Sequence, residues 1–139
     1  SEILALAGAG KGGKGVDSTD DGRTALSAAQ RLAEETGTVV CVTGTVDYAT
    51  DGKRTLSIAG GNVMTTLVVG TGCSLSALCA AFAAVEKDPV DAAISACALA
   101  KYAAGTAAKQ AKGPGSFHDE YLDALYLAQP EALTVGDAA

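Results

Sequence analysis

Two β-branched runs set the first limit on what this chain can fold into. TVVCVT at residues 38–43 and VMTTLVV at residues 63–69 both read as short, buried strands. Strands of this kind belong to parallel sheets, which need helices on both faces and further strands alongside. Two or three such strands leave edges that the rest of these 139 residues does not cover. The expectation is a sheet that is incomplete in this chain. It would borrow strands from another chain, or part of the protein lies elsewhere. The start at Ser1, without an initiator Met, points the same way, to a processed product or a fragment.

The remaining segments surround those runs with helices. SEILALAG at 1–8 is short enough to be a helix start capped by Ser1 or a buried strand. Ala25, Leu26, Ala29, Leu32 and Ala33 repeat at helical spacing, which predicts a helix near 20–36 with Asp17 or Ser18 as its cap and Gly37 as its stop. VDYAT and KRTLSIA flank Asp51-Gly52, a strong hairpin signal. An Ala-rich helix is expected from about 73 to 86, and a second from Asp88-Pro89 to about 111. KGPGS at 112–116 reads as a turn, and a last helix as running near 117–128. The tail 129–139 reads as loose. The order is that of α/β layering.

Composition narrows the function. The chain holds 29 alanines and 17 glycines against 4% aromatics, so its packing depends on close approach of small side chains. A net charge of −6 makes nucleic acid and anionic membranes poor partners. No apolar run reaches membrane-spanning length and the first residues do not form a signal peptide, so a cytoplasmic protein is expected. Cys41, Cys73, Cys79 and Cys97 form no CxxC pair, and His118 is the sole histidine, so there is no zinc spacing. Three of the cysteines lie among apolar residues and read as small core side chains.

Two glycine-rich segments invite a phosphate. In GAGKGGKG at 8–15, Gly10, Gly12 and Gly15 satisfy one dinucleotide spacing, and Gly8, Gly13 and Lys14 satisfy the start of a P-loop. Both fail on context: Gly15 stands where a P-loop needs Ser or Thr, and VDSTDD separates the glycines from any helix. The segment reads as a surface loop. Gly70-Thr71-Gly72-Cys73 has the better context, a β-branched run before it and a helical run after it. Such a turn aims backbone N–H groups and the positive end of a helix dipole at an anion. Cys73 would sit in the first turn, where the dipole favours thiolate and the sulfur could orient or accept a hydroxyl proton. The alternative is a tight turn with a packed cysteine. Thr43-Gly44 ends the first β-branched run, where ligands of open α/β sheets bind; the alternative is a threonine satisfying its own backbone. Glu2 is a single carboxylate, enough for a Mg²⁺ otherwise held by phosphates and water, or simply a solvated helix-start residue.

SEILALAG, GKGVDS, VVCVTGTVDYATDG, VVGTGCSLSALCAAFAAV and KGPGSFHDEYLDALY, taken in order, resemble the C-terminal half of hydroxyethylthiazole kinases, in the ribokinase-like superfamily. The resemblance covers residues 1–128. It implies part of an α/β/α sandwich, ATP and Mg²⁺ as cofactors, and phosphorylation of 4-methyl-5-(2-hydroxyethyl)thiazole in thiamine biosynthesis. It implies a trimer with sites between subunits. Thr43 would contact ATP and Gly70 the thiazole. Gly70, Thr71 and Gly72 would form the anion hole, Cys73 would stand where related kinases carry an Asp base, and Glu2 would help position Mg²⁺. Family members carry a further N-terminal half, with an Arg-Gly-Asn-Ala segment just before the region matching Ser1. The expectation is therefore the phosphate-handling half of a kinase, acting as a homotrimer or with a companion chain. The competing expectation is a non-catalytic fragment or engineered half-domain that self-associates.

Overall fold

The computed structural model of the chain describes residues 2–8, 22–133 and 136–137. The element order is α1 (Glu2–Leu6), α2 (Gly22–Thr36), β1 (Val40–Val42), β2 (Val46–Thr50), β3 (Thr55–Ala59), a 3₁₀ turn (Val63–Thr66), α3 (Thr71–Ala83), α4 (Pro89–Gln110), α5 (Pro114–Leu127), a second 3₁₀ turn (Pro130–Ala132) and β4 (Gly136–Asp137). The glycine-rich loop lies outside the described residues beyond Gly8, as do Asp17 and Ser18.

The sheet departs from the expectation of parallel strands. Its order is β1-β2-β3-β4, and every neighbour is antiparallel. Val40 lies opposite Thr50, and Val46 opposite Ala59. Only residues 43–45 separate β1 from β2. So short a link reverses the chain, whereas a parallel neighbour needs a crossover of a dozen residues or more. The second run is not a strand at all. Asn62 accepts the Met64 N–H on its side chain at 3.0 Å, and the Thr65 and Thr66 hydroxyls bond the carbonyls of Asn62 and Val63. These local bonds satisfy the backbone without a ladder, and the run becomes a 3₁₀ turn. The segment read as a loose tail contains the second 3₁₀ turn and pairs with the free edge of β3 through residues 136–137.

Strand alternation sends Asp47 and Ala49 to one face of the sheet and Tyr48 and Thr50 to the other. On the second face Gln30 of α2 donates to Thr55 at 3.1 Å, and Thr55 to Thr50 at 2.9 Å. The buried Ala28, Ala29 and Ala33 let α2 approach closely. On the first face Ala49 and Leu56 meet Val90, Ile94 and Cys97 of α4. Helices on both faces make the expected α/β/α layering. Further along α4, Ala103, Ala104 and Ala107 meet Phe117, Tyr121 and Ala124 of α5, with Met64 and Val68 packed alongside. Helix α4 starts where the sequence indicated: the Asp88 carboxylate accepts from Val90 N–H and Asp91 N–H at 2.9 and 3.0 Å, with Pro89 at the first position. Arg54 ties the hairpin to this cap through Asp88 and Asp91 at 3.1 and 2.6 Å. Among the described residues no helix is long and apolar enough to cross a membrane.

Phe117 is fully buried and stacks on Tyr121 at 6.1 Å between ring centroids. Phe117→Ala would open a cavity between α4 and α5 and is expected to destabilise the protein by about 3–5 kcal/mol. Urea denaturation measures this; a change below about 1 kcal/mol would show that the aromatic pair is not part of the core.

Candidate functional site

Helix α3 begins at a left-handed glycine. Gly70 has φ 103°, which the other residues rarely adopt. The first backbone bond of the helix runs from Ser74 N–H to the Gly70 carbonyl at 2.9 Å. The N–H groups of Thr71, Gly72 and Cys73 therefore precede the helical ladder and remain free of it. Side chains brace the turn from below: Thr71 Oγ1 donates to the Thr65 carbonyl at 3.1 Å, and Ser74 Oγ to the Thr71 carbonyl at 2.8 Å. Above it there is room, since a Cβ added at Gly70 or Gly72 would meet nothing within 4 Å. Cys73 is exposed and its thiol is free. The four contiguous residues thus form an open turn with three backbone donors at the start of a 13-residue helix.

Thr43 is exposed just beyond β1. Glu2 is exposed in the first turn of α1, which is anchored to α2 by the Arg31 guanidinium donating to the Ala7 carbonyl. Among the described residues no hydrogen bond or ion pair joins Glu2, Thr43 and the Gly70–Cys73 turn to one another. No group of three or more Asp, Glu, His or Cys side chains that could hold a metal occurs among the described residues. One exposed carboxylate suits a Mg²⁺ that arrives with phosphates and keeps its waters; it does not make a protein cage.

A buried charged pair was not among the candidates read from the sequence. Asp47 lies on the α4 face of β2, and its carboxylate accepts the Gly44 N–H at 2.8 Å and sits 3.1 Å from Lys101 Nζ. Lys101 Nζ also donates to the carbonyls of Gly44 at 2.6 Å, Thr45 at 3.1 Å and Gly60 at 3.4 Å. Both side chains are nearly buried, 10% exposed for Lys101 and 6% for Asp47. Two signals could have found them: a carboxylate on the inward register of a strand, and a lysine in the middle of an alanine-rich helix. Lys101 also lines a cleft of about 260 Å³ with Gly60, Gly61, Tyr102, Gly105 and Lys109.

The cysteines behave largely as expected. Cys41 Sγ lies 3.5 Å from Cys97 Sγ between β1 and α4. The hydrogen bond to Cys41, and then burial, push the Cys97 thiol well above the ordinary range. His118 is on the surface of α5 beside Asp119 at 3.6 Å.

This architecture matches a solved structure of hydroxyethylthiazole kinase from Pyrococcus horikoshii OT3, with a TM-score of 0.84 and 35% identity over 99% of this chain and 52% of that one. The class is a ribokinase-like α/β fold. The family model described as "Hydroxyethylthiazole kinase family" matches residues 1–131. Among curated proteins, hydroxyethylthiazole kinase of Citrobacter koseri is 57% identical over 94% of this chain and 50% of its own length. Hydroxyethylthiazole kinase of Klebsiella pneumoniae (strain 342) is 59% identical over 91% of this chain and 49% of its own. The chain belongs to the hydroxyethylthiazole kinase family, and it spans about half the length of the curated relatives it matches.

Burial pushes the Asp47 carboxyl above its ordinary value of 3.8, against the opposing pull of the Gly44 N–H and of Lys101. A carboxyl that holds its proton more tightly when folded favours the fold at low pH, and that contribution is lost as pH rises through the folded value. Asp47→Asn abolishes this titration. The stability of the unsubstituted protein relative to Asp47→Asn is therefore expected to fall as pH rises from about 4. Urea melts across the acidic range measure it; a flat or rising difference contradicts the expectation.

Proposed function

We propose that this chain is the phosphate-handling half of a kinase that transfers the γ-phosphoryl group of ATP to the hydroxyl of 4-methyl-5-(2-hydroxyethyl)thiazole, in thiamine biosynthesis. The observation that carries the reading is the open Gly70–Cys73 turn, with three backbone N–H groups outside the helical ladder. Phosphoryl transfer asks chiefly for positioning and charge neutralisation, and such donors supply both. In this reading the hydroxyl oxygen of the alcohol forms a bond to the γ-phosphorus. The bond from that phosphorus to the bridging β–γ oxygen breaks, and the electron pair leaves with ADP. Gly70, Thr71 and Gly72 hold the equatorial oxygens, and Gly70 also borders the thiazole. Cys73 orients the hydroxyl and lies where its proton departs. Thr43 contacts ATP. Mg²⁺, when bound, neutralises phosphate charge, with Glu2 as the carboxylate that this chain offers it.

The exposed side chains of Val63, Leu67, Val69, Val85, Tyr126 and Leu127 support a chain that works against further polypeptide, as a homotrimer or with a companion half. They equally suit the second reading, a non-catalytic piece that self-associates. Light scattering that shows this chain to self-associate, together with a null kinase assay of it, would favour that reading.

In an enzyme carrying both halves, Gly70→Ala strains the left-handed turn and fills the space above it; kcat is expected to drop about 10²-fold. Thr43→Ala is expected to raise the KM for ATP about tenfold. Steady-state kinetics unchanged in both variants would overturn the assignment. Cys73→Ala is expected to lower kcat by less than about 10²-fold, because a loose transition state needs little help from a base. A loss beyond about 10³-fold would instead make Cys73 the base.

A further inference from the structure

We propose that Lys101, seated on Asp47, is a positioning residue for the nucleotide: it clamps the turn that presents Thr43. The proposal rests on the reading of Thr43 as an ATP contact and deepens it. Gly44 follows Thr43 directly, and both of its backbone polar groups are taken by the buried pair. Its N–H, part of the Thr43–Gly44 peptide, donates to Asp47 at 2.8 Å. Its carbonyl accepts from Lys101 Nζ at 2.6 Å. The peptide planes on either side of Gly44 are thereby held, and with them the direction in which Thr43 leaves β1.

Two features single this pair out from an ordinary internal ion pair. The ammonium has more acceptors than protons: Asp47, Gly44, Thr45 and Gly60 all lie within 3.4 Å of it. These acceptors come from separate stretches of chain, so one side chain of α4 joins the β1–β2 turn to the exit of β3. The turn itself would otherwise be loose. Gly44 and Thr45 are exposed, and Gly60 and Gly61 have φ of 111° and 77°, a path that the chain takes at the cost of glycine's freedom. The aliphatic stem of Lys101 lies under that glycine corner, where a Cβ on Gly61 would stand 3.5 Å from Lys101 Cδ. A buried pair of this kind contributes little to net stability once its desolvation is counted. Its strength is directional, and what it directs is the turn bearing Thr43.

The test compares four proteins that carry both halves: the unsubstituted enzyme, Thr43→Ala, Lys101→Met and the double variant Asp47→Asn with Lys101→Met. Methionine keeps the stem and removes the donors. The double variant also removes the carboxylate charge that Lys101→Met leaves buried, while the amide oxygen that replaces the carboxylate can still accept the Gly44 N–H. Lys101→Met is expected to raise the KM for MgATP about tenfold, with the KM for the thiazole alcohol unchanged and kcat within about threefold. The double variant is expected to regain thermal stability but to keep the raised KM for MgATP. A purely structural role would restore the two together. If Lys101→Met does not fold, the double variant decides alone: a raised KM for MgATP supports the clamp, and an unchanged one overturns it. An unchanged KM in Lys101→Met, where Thr43→Ala raises it, overturns the clamp and leaves the kinase reading standing. An unchanged KM in Thr43→Ala removes the reading on which the clamp rests.

Discussion

Helix α4 carries Val90, Ile94 and Cys97 on the side that meets the sheet, and Ala103, Ala104 and Ala107 on the side that meets α5. Its 22 residues are covered by few large side chains. Here the alanines make it possible. They let backbone approach backbone, so that one aromatic pair, Phe117 and Tyr121, fills the space between α4 and α5. The sheet side has no aromatic in its buried cluster and relies on branched aliphatics and a cysteine. With aromatics at 4% of the chain, dispersion contacts between small groups have to do what bulk does elsewhere.

The candidate site inherits its geometry from that helix. The segment ahead of α3 is packed onto α4 and α5 through Met64 of the 3₁₀ turn and Val68 beyond it, and Leu75 of α3 packs against the sheet-side cluster. The Gly70–Cys73 turn is thus suspended between two well-packed regions while its own upper surface stays open. In the proposed reading the turn must admit phosphate oxygens, so it cannot be buried, and must hold them still, so it cannot be loose. Bracing from beneath by Thr71 and Ser74 answers both requirements.

Much of this was legible in the residues. Asp88-Pro89 announced the start of α4, Asp51-Gly52 announced the hairpin, and GTGC before an alanine-rich run announced a helix opening at glycines. What failed did so for identifiable reasons. The run at 63–69 has the composition of a strand, but Asn62, Thr65 and Thr66 offer its backbone nearer partners than any sheet. The first run was read as parallel because buried hydrophobicity carries no direction; the three residues that follow it set the direction instead. Asp47 and Lys101 lay 54 positions apart and in separate elements. Neither spacing nor periodicity connects such a pair; only the packing of α4 onto the sheet does.

That distance in sequence has a kinetic meaning. The bonds from Lys101 to Gly44 and Thr45 span 57 and 56 residues. The turn after β1 closes locally through the β1–β2 pairing and the Gly44 N–H bond to Asp47, but unlike the Asp51-Gly52 hairpin it also takes bonds from a helix made much later. Those bonds form only once α4 has docked, and the entropy of closing that loop must be met first. The surface beside Thr43 thus takes its final bonds from a distant helix, and its complete order reports that the helix has arrived.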